Sequence, residues 1–385
     1  MTQKPTVLVL GSGFAGQGHA EALRYAGAEI VGIVSRTEAV VKKVAESLNI
    51  PYASMDWGKA LENLKPDIVA IGTPGGAHFE PIIAALNQGC HVFCDKPLAA
   101  TAEEAKTLCL RAKEAGVKTA YAASYRYMPY VTFARELIGQ GAIGEPQEVE
   151  CISHYNLDPL IPFGWSHRLS EGGGRLNNNF THKLSIVLEM LAGTPLTVYG
   201  ETRSDMKRAP IVSGSHDFRE RRNFIPEDVN DPNLQWAESD AEWSYTVLAN
   251  IESSKKHEVS ALFKHSGLQP RFHDDCIAIY GSKGAIHIGG SYAQGPLHLS
   301  KNKKSWETLE LPERIMTDLP KIEDDTQRNW TCLAQHFLSD ILGLEGEPYQ
   351  TFADGWLYQN IIEHIRQNKR WHASETDLST KVNYG

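Results

Sequence analysis

No stretch of this 385-residue chain stays apolar for the ~20 residues that a helix needs to cross a bilayer, and Lys4-Pro5 leads straight into a short run at residues 6–10. The expectation is a soluble, cytoplasmic protein with neither a membrane partner nor a targeting segment. Cysteine is sparse. Cys90, Cys94, Cys109, Cys151, Cys276 and Cys332 show neither CxxC pairs nor Cys/His ligand spacing, so no metal centre or disulfide framework is expected, only small buried hydrophobes in a reducing compartment. An excess of basic charge is also missing. Lys and Arg number 38 against 47 Asp and Glu, and the densest basic stretch, Arg219, Arg221 and Arg222, has Glu220 inside it. Nucleic acid is therefore not an expected partner. Repeats and low-complexity tracts are absent too. What remains is 42% hydrophobic and 22% charged residues, the balance of a chain that folds by itself, with room for two or three domains.

Between residues 6 and 125, short β-branched runs alternate with helical patterns. Residues 6–10, 29–35, 67–72, 91–94 and 117–122 read as strands and the segments between them as helices. Thr101-Ala-Glu-Glu104 is a capping box opening one of these helices, and Gly116 is suited to end it. Such alternation implies right-handed crossovers and a doubly wound parallel sheet. Beyond about Met128 a helix (130–138), a strand (146–154), an irregular stretch and a helix (176–191) precede strand-like segments at 243–251, 258–265, 276–280, 285–288 and 297–299. The reading is an α/β chain of two parts. Residues 1–124 form a doubly wound α/β domain, and residues 125–385 an α+β domain with a mainly antiparallel sheet. The polar segment 205–240 reads as a long ordered insertion or loop.

Gly11-Ser12-Gly13-Phe14-Ala15-Gly16 follows the first strand at once and opens a helix, the context in which GxGxxG denotes a dinucleotide site. Gly11 makes the turn, Gly13 admits a pyrophosphate, Gly16 lets helix and strand pack, and the helix N-terminus favours the phosphates. At the end of the second strand, where NAD-selective sites carry an acid, the chain reads Ser35-Arg36. Nothing there repels a 2′-phosphate and Arg36 can pair with it, so NADP is expected, with NAD as the alternative.

Further on come Thr73-Pro74-Gly-Gly-Ala-His78, then Asp95-Lys96-Pro97, then Tyr125-Arg126, and finally Gly172-Gly-Gly174 running into His182. With this ordered set the chain resembles, over essentially its whole length, the family of glucose-fructose oxidoreductase, inositol 2-dehydrogenase and rhizopine catabolism proteins (Gfo/Idh/MocA). The resemblance implies a dinucleotide-binding Rossmann domain over residues 1–124, a substrate-binding domain over 125–385 with a large open-faced sheet used for homo-oligomerisation, as a dimer or tetramer, and NAD(P)-dependent redox chemistry on sugars or polyols. It also implies a cis Lys96-Pro97 peptide and places Thr73, Pro74, His78 and Asp95 beside the cofactor. His78, like His19, reads equally as a packing group. Two departures stand out: Asp95 replaces the usual Glu, and Asn178 and Ser185 occupy positions where many members have Asp.

Oxidising a secondary alcohol needs a proton acceptor and a group to hold the oxygen as its charge changes. Lys96, at the carboxyl end of a parallel strand, fits the stabiliser, and His182 the acid/base. By itself a lysine at a strand end is a solvated charge, and the row Asn178, His182, Ser185 and Glu189 at i+4, i+3 and i+4 reads equally as a solvated helix face. The family blocks favour the site. Asn178 would hold a substrate hydroxyl. Arg126, Tyr155, Trp165 and Arg168 are candidate pocket residues, each alternatively structural. The leading expectation is an oxidoreductase acting on a carbohydrate-like secondary alcohol. Redox-neutral glycoside cleavage with retained NAD(P), and a non-catalytic dinucleotide sensor, are the alternatives.

Overall fold

The protein is described by a computed structural model covering residues 4–213, 220–367 and 371–372. The first sheet is built from β1 (Thr6–Leu10), β2 (Glu29–Val34), β3 (Tyr52–Ser54), β4 (Ile68–Ile71), β5 (His91–Cys94) and β6 (Thr119–Tyr121). All pair in parallel, in the order β3-β2-β1-β4-β5-β6. The order reverses between β1 and β4, which opens a crevice at their carboxyl ends, the place where open α/β sheets take ligands. The crossovers are α1 (Phe14–Ala26), α2 (Glu38–Ser47), α3 (Trp57–Leu64), α4 (Phe79–Asn87) and α5 (Ala102–Ala115). The capping box at Thr101 and Glu104 is formed, and Gly116 ends α5 at φ 67°. Lys96-Pro97 is cis, as the resemblance implied.

The second part begins with α6 (Pro129–Gly139) and β7 (Pro146–His154). The helix expected over 176–191 is two things: a π-helical turn (Leu176–Phe180) followed by α7 (Thr181–Leu191). That turn holds an extra residue, closed by the Thr181 N–H on the Leu176 carbonyl, so Asn178 is turned away from the place relative to His182 that a 3.6-residue period would give it. Ser185 turns inward and donates to the Ala123 carbonyl and to Gln350. Glu189, its side chain only 10% exposed, pairs with Arg126 and Arg135.

The large sheet comprises β7, β8 (Thr194–Arg203), β11 (Ser244–Glu252), β12 (Glu258–Ser266), β13 (Cys276–Gly281), β14 (Gly284–Gly289), β15 (Leu297–Lys301) and β16 (Trp306–Leu309), with residues 371–372 adding an edge pair as β17. Only the β7–β12 pairing is parallel. The 205–240 segment contributes a separate two-stranded ribbon, β9 (Arg208–Pro210) with β10 (Trp236–Glu238). Arg219 falls outside the described residues. Inward residues of β11 such as Tyr245, Val247, Ala249 and Ile251 enter the core, while the alternate residues face outward, as in a sheet covered on one side. The outer face is mixed. Tyr199, Leu248 and Leu262 form an apolar cross-strand row, and Glu148, Ser260 and Lys264 are exposed beside it. Among the described residues no helix is long and apolar enough to cross a membrane.

Two late helices, α9 (Asp325–Ile341) and α10 (Phe352–Arg366), follow α8 (Glu313–Thr317) and bind the parts together. α9 lies on α1: Trp330 meets Phe14 at 5.1 Å and His19 at 4.8 Å, and leaves no room for a Cβ at Gly18. α10 reaches α5, where Glu363 accepts from the Ala102 N–H at 3.1 Å. Leu333, Ala334, Phe337 and Leu338 of α9 thereby complete the core beneath β1, β2 and α1.

The strand-to-helix turn is the tightest place in this domain. Gly11 has φ 107°, and a Cβ on Gly16 would overlap the Gly11 carbonyl oxygen, whereas one on Gly13 would meet nothing within 4 Å. Gly16→Ala is expected to destabilise the fold by about 2 kcal/mol or more, and Gly13→Ala by no more than about 0.5 kcal/mol. Urea midpoints at unchanged m-value are the measurement; equal midpoints would contradict the packing.

Candidate active site

A single cleft of about 1360 Å³ runs from the β1–α1 turn to α7. At one end, Gly13 caps α1 without a side-chain hydrogen bond, so the helix's first N–H groups face the cleft with partial positive charge. Ser12, Phe14 and Ala15 continue this wall, and Thr73 and Pro74 form the one opposite. The open space over Gly13 is the cradle a pyrophosphate requires. Ser35 and Arg36 line the far end, joined by Lys43, a second cation that sequence spacing did not disclose. These residues fit a dinucleotide.

Two residues assigned to the cofactor do not face the cleft. Gly16 is consumed in packing on Gly11. His78 is fully buried; its Nε2 lies 2.7 Å from the Thr73 carbonyl and its Nδ1 3.3 Å from the Leu98 carbonyl, so it braces the two loops that flank the cofactor end. Burial pushes its pKa down.

At the other end, β5 and the π turn bring Lys96 and Asn178 together. The Lys96 Nζ donates to Asn178 Oδ1 at 2.9 Å, and Asn178 Nδ2 donates to the Gly174 carbonyl at 2.8 Å. The amide is thus oriented by both of its ends. Burial lowers the Lys96 pKa, and the nearby charge of Arg175 lowers it further against the opposing pull of Asp95. Asp95 itself is pushed up to about 6 by burial, with Lys96 opposing. His182 is only 7% exposed and lines the cleft. Tyr125 and Tyr292 meet its ring edge-to-face at 4.6 and 5.6 Å. Burial first, and Lys96 second, hold its pKa well below the usual value. His182 is therefore a neutral imidazole at neutral pH, beside a lysine ammonium: a base and a hydrogen-bond donor on one wall.

Trp165 and Tyr155 line the cleft. Arg126 and Arg168 do not. Arg126 is spent on Glu189, and Arg168 pairs with Glu171 at 3.5 Å while lying over the Phe163 ring. Both were placed by closeness in sequence to the motifs, and the turns they sit in point them away. The residues that sequence reasoning missed are contributed by distant strands and by the π turn. Tyr155 donates to the Tyr292 hydroxyl at 2.6 Å, Asn179 Nδ2 donates to both hydroxyls at 3.0 Å, and Tyr245 donates to Asn179 Oδ1 at 2.5 Å. Arg175, adjacent to the triple glycine, lies over Trp243 at 4.8 Å and Tyr155 at 5.5 Å. Its place immediately after Gly172-Gly-Gly174 was the signal that could have drawn attention to it.

Residues 6–123 match the Gfo/Idh/MocA oxidoreductase family's NAD-binding Rossmann fold, and residues 131–287 match the family's C-terminal domain. The chain belongs to the Gfo/Idh/MocA family. Its relatives in that family include levoglucosan dehydrogenase of Pseudarthrobacter phenanthrenivorans, 28% identical over 56% of this chain and 58% of that protein. The NAD+-dependent scyllo-inositol 2-dehydrogenase of Bacillus subtilis is 26% identical over 78% of each chain. A solved structure of levoglucosan dehydrogenase with NADH and levoglucosan superimposes with a TM-score of 0.77 at 20% identity, over 96% of this chain and 99% of that one, which establishes a shared fold. In sequence the chain thus spans little more than half of the first of these relatives. The Gfo/Idh/MocA fold expected from the motifs is present, with the mixed, mostly antiparallel second sheet.

Asn178 touches Lys96 rather than His182, so its effect on the histidine runs through the lysine. Asn178→Asp would set a carboxylate against the Lys96 ammonium, offset the charge that depresses His182, and raise the His182 pKa. Because only the neutral ring accepts a proton, the acid limb of any His182-dependent oxidation moves to higher pH. The imidazole titration followed by NMR checks this without turnover; a His182 pKa unchanged or lower in Asn178→Asp contradicts the coupling.

Proposed function

We propose that the protein is an NAD(P)-dependent oxidoreductase that moves a hydride between a nicotinamide and a secondary alcohol or ketone of a sugar, polyol or related cyclic alcohol. The observation that carries this reading is the convergence of a neutral His182 and the Lys96 ammonium on the cleft that holds the dinucleotide cradle. When bound, the nicotinamide supplies the hydride acceptor or donor. His182 takes the hydroxyl proton during oxidation and returns it in the reverse direction. Lys96, held by Asn178 through one of its protons, offers the others to the substrate oxygen as its charge changes. Tyr155 and Tyr292 form a wall against which a sugar ring rests, and Trp165 lines the same space. A sensor that merely reports bound dinucleotide has no use for the His182–Lys96 arrangement, and redox-neutral glycoside cleavage is separated by the absence of net cofactor reduction.

The cofactor end favours NADP. Arg36 and Lys43 line it, the terminal position of β2 holds no carboxylate, and Ser35 donates without repelling. The outer sheet face supports self-association through the Tyr199, Leu248 and Leu262 row, flanked by charges that can pair across a two-fold axis.

Three outcomes are expected. In a cofactor-reduction screen of sugars and polyols, Lys96→Met lowers kcat by about 10²–10³ with KM changed only severalfold, and His182→Ala by about 10²–10⁴. Near-normal turnover in either variant refutes its role. Arg36→Ala weakens NADP binding by at least about tenfold, or 1.4 kcal/mol, and NAD binding little; equal losses contradict the NADP assignment. Light scattering shows a dimer or larger at micromolar concentration, and Leu248→Glu shifts it toward monomer; a wild-type monomer contradicts this interface.

A further inference from the structure

The chamber around His182 contains a cation with no anion of its own. Arg175 is half-buried and lines the cleft. Its guanidinium is fixed over the faces of Trp243 and Tyr155, yet among the described residues no carboxylate lies within the 4.0 Å of an ion pair and no acceptor takes a hydrogen bond from it. The nearby acids are already occupied. Glu242 is buried and holds Arg366 at 2.9 and 3.1 Å, with the Leu176 N–H on one of the same oxygens at 2.9 Å. Glu171 pairs with Arg168.

Across the chamber stands Lys96, and its hydrogen-bond partner is the neutral amide of Asn178. A carboxylate at position 178 would have cancelled the ammonium charge. Two cations therefore share one poorly solvated space, close enough that the Arg175 charge depresses the Lys96 pKa. Asp95 is the acid beside Lys96, and burial already weakens its ionised form. Arg175 connects directly with the wall that faces the reacting groups: Tyr155 stacks against it, bonds to Tyr292, and the Tyr292 ring meets His182. Burying a guanidinium without a partner is costly. A ligand that brings an anion into the chamber removes that cost, whereas a neutral sugar leaves it in place.

We propose that the substrate is an acidic sugar or polyol, an aldonate or uronate, whose carboxylate is received by Arg175 while a neighbouring hydroxyl lies between Lys96 and His182. A carboxylate matches the planar guanidinium fork, two oxygens to two N–H groups. It is preferred over a phosphate because its two oxygens match the fork of a single guanidinium, and the buried Glu242 close by would repel a dianion. This inference names the substrate class of the site proposed above and rests on that reading.

The test measures binding, so it does not depend on turnover. The protein saturated with reduced cofactor, which cannot accept a hydride from an alcohol, is titrated calorimetrically with D-gluconate, D-glucuronate and D-galacturonate, with glucose and galactose as neutral parents, and with glucose 6-phosphate. At least one carboxylate is expected to bind tenfold or more tightly than its neutral parent, with an advantage that shrinks as salt is raised. Arg175→Met abolishes that advantage, so that the acid and its neutral parent bind within about threefold of each other. Arg175→Lys, which keeps the charge but not the fork, retains part of the advantage and serves if the methionine variant does not fold. The proposal is overturned if no acid binds better than its parent, if the preference survives loss of the guanidinium, or if the phosphate binds more tightly than every carboxylate. Loss of turnover in Lys96→Met together with intact acid preference supports both readings. A normal Lys96→Met enzyme that still prefers acids would sink the catalytic roles and leave the Arg175 assignment standing.

Discussion

The hydrogen bond from Lys96 to Asn178 joins residues 82 positions apart, one at the end of a strand in the first domain and one in the π turn of the second. Everything that distinguishes this cleft depends on it. It fixes where the ammonium points, and because its acceptor is an amide it leaves the ammonium charge undiminished. That charge, added to burial, keeps His182 neutral. An ion pair in the same place would hold the lysine equally well and give the opposite electrostatics, with a quieter lysine and a more basic histidine.

Behind this bond lies a polar network with little slack. Asn179 uses both ends of its amide on the hydroxyls of Tyr155, Tyr292 and Tyr245, and beneath the sheet Lys183 donates to Ser153, whose hydroxyl also meets His265 Nδ1. Networks of this kind are costly when half satisfied and rigid when complete. The wall facing His182 is of the complete kind, which is what a site needs if it is to hold a ring in one orientation. The π turn makes the network possible: by holding one extra residue it sends Asn178 toward Lys96 and Asn179 toward the tyrosines from adjacent positions.

The first domain was legible because its signals are local. Glycines at Gly11 and Gly116, the Thr101 box and short buried strands each declare themselves within a few residues, and the Gly13 cradle follows from them. Three-residue β3 is too short for a periodic pattern, and β8 was not separable from its surroundings by composition. Lys96, Asn178 and His182 were picked out through ordered motifs, and all three side chains line the cleft. Arg126 and Arg168 were misplaced because nearness in sequence says nothing about which way a 3₁₀ turn aims a side chain. Tyr292 was invisible for the converse reason, since a loop return brings it to the cleft from far along the chain, and strand pairing brings Tyr245, fully buried, to the Asn179 amide behind it. The row through Ser185 and Glu189 keeps its helical spacing to His182 within α7, but periodicity could not tell that this face is covered: Ser185 is buried against Ala123 and Gln350, and Glu189 is held by Arg126 and Arg135.

The packing of α9 against α1 has a bearing on how the chain acquires its structure. The apolar surface formed by Ala20, Leu23 and Phe93 is sealed by Trp330, Leu333 and Phe337, residues that leave the ribosome only after strands β7 to β16 have been made. Until then the nascent first domain carries an open hydrophobic flank next to its glycine turn. Its consolidation is a long-range event, slow in the way that contacts of high sequence separation are slow, and exposed to chaperones in the interval. The nucleotide-binding domain of this protein is thus first in sequence and among the last parts to be finished.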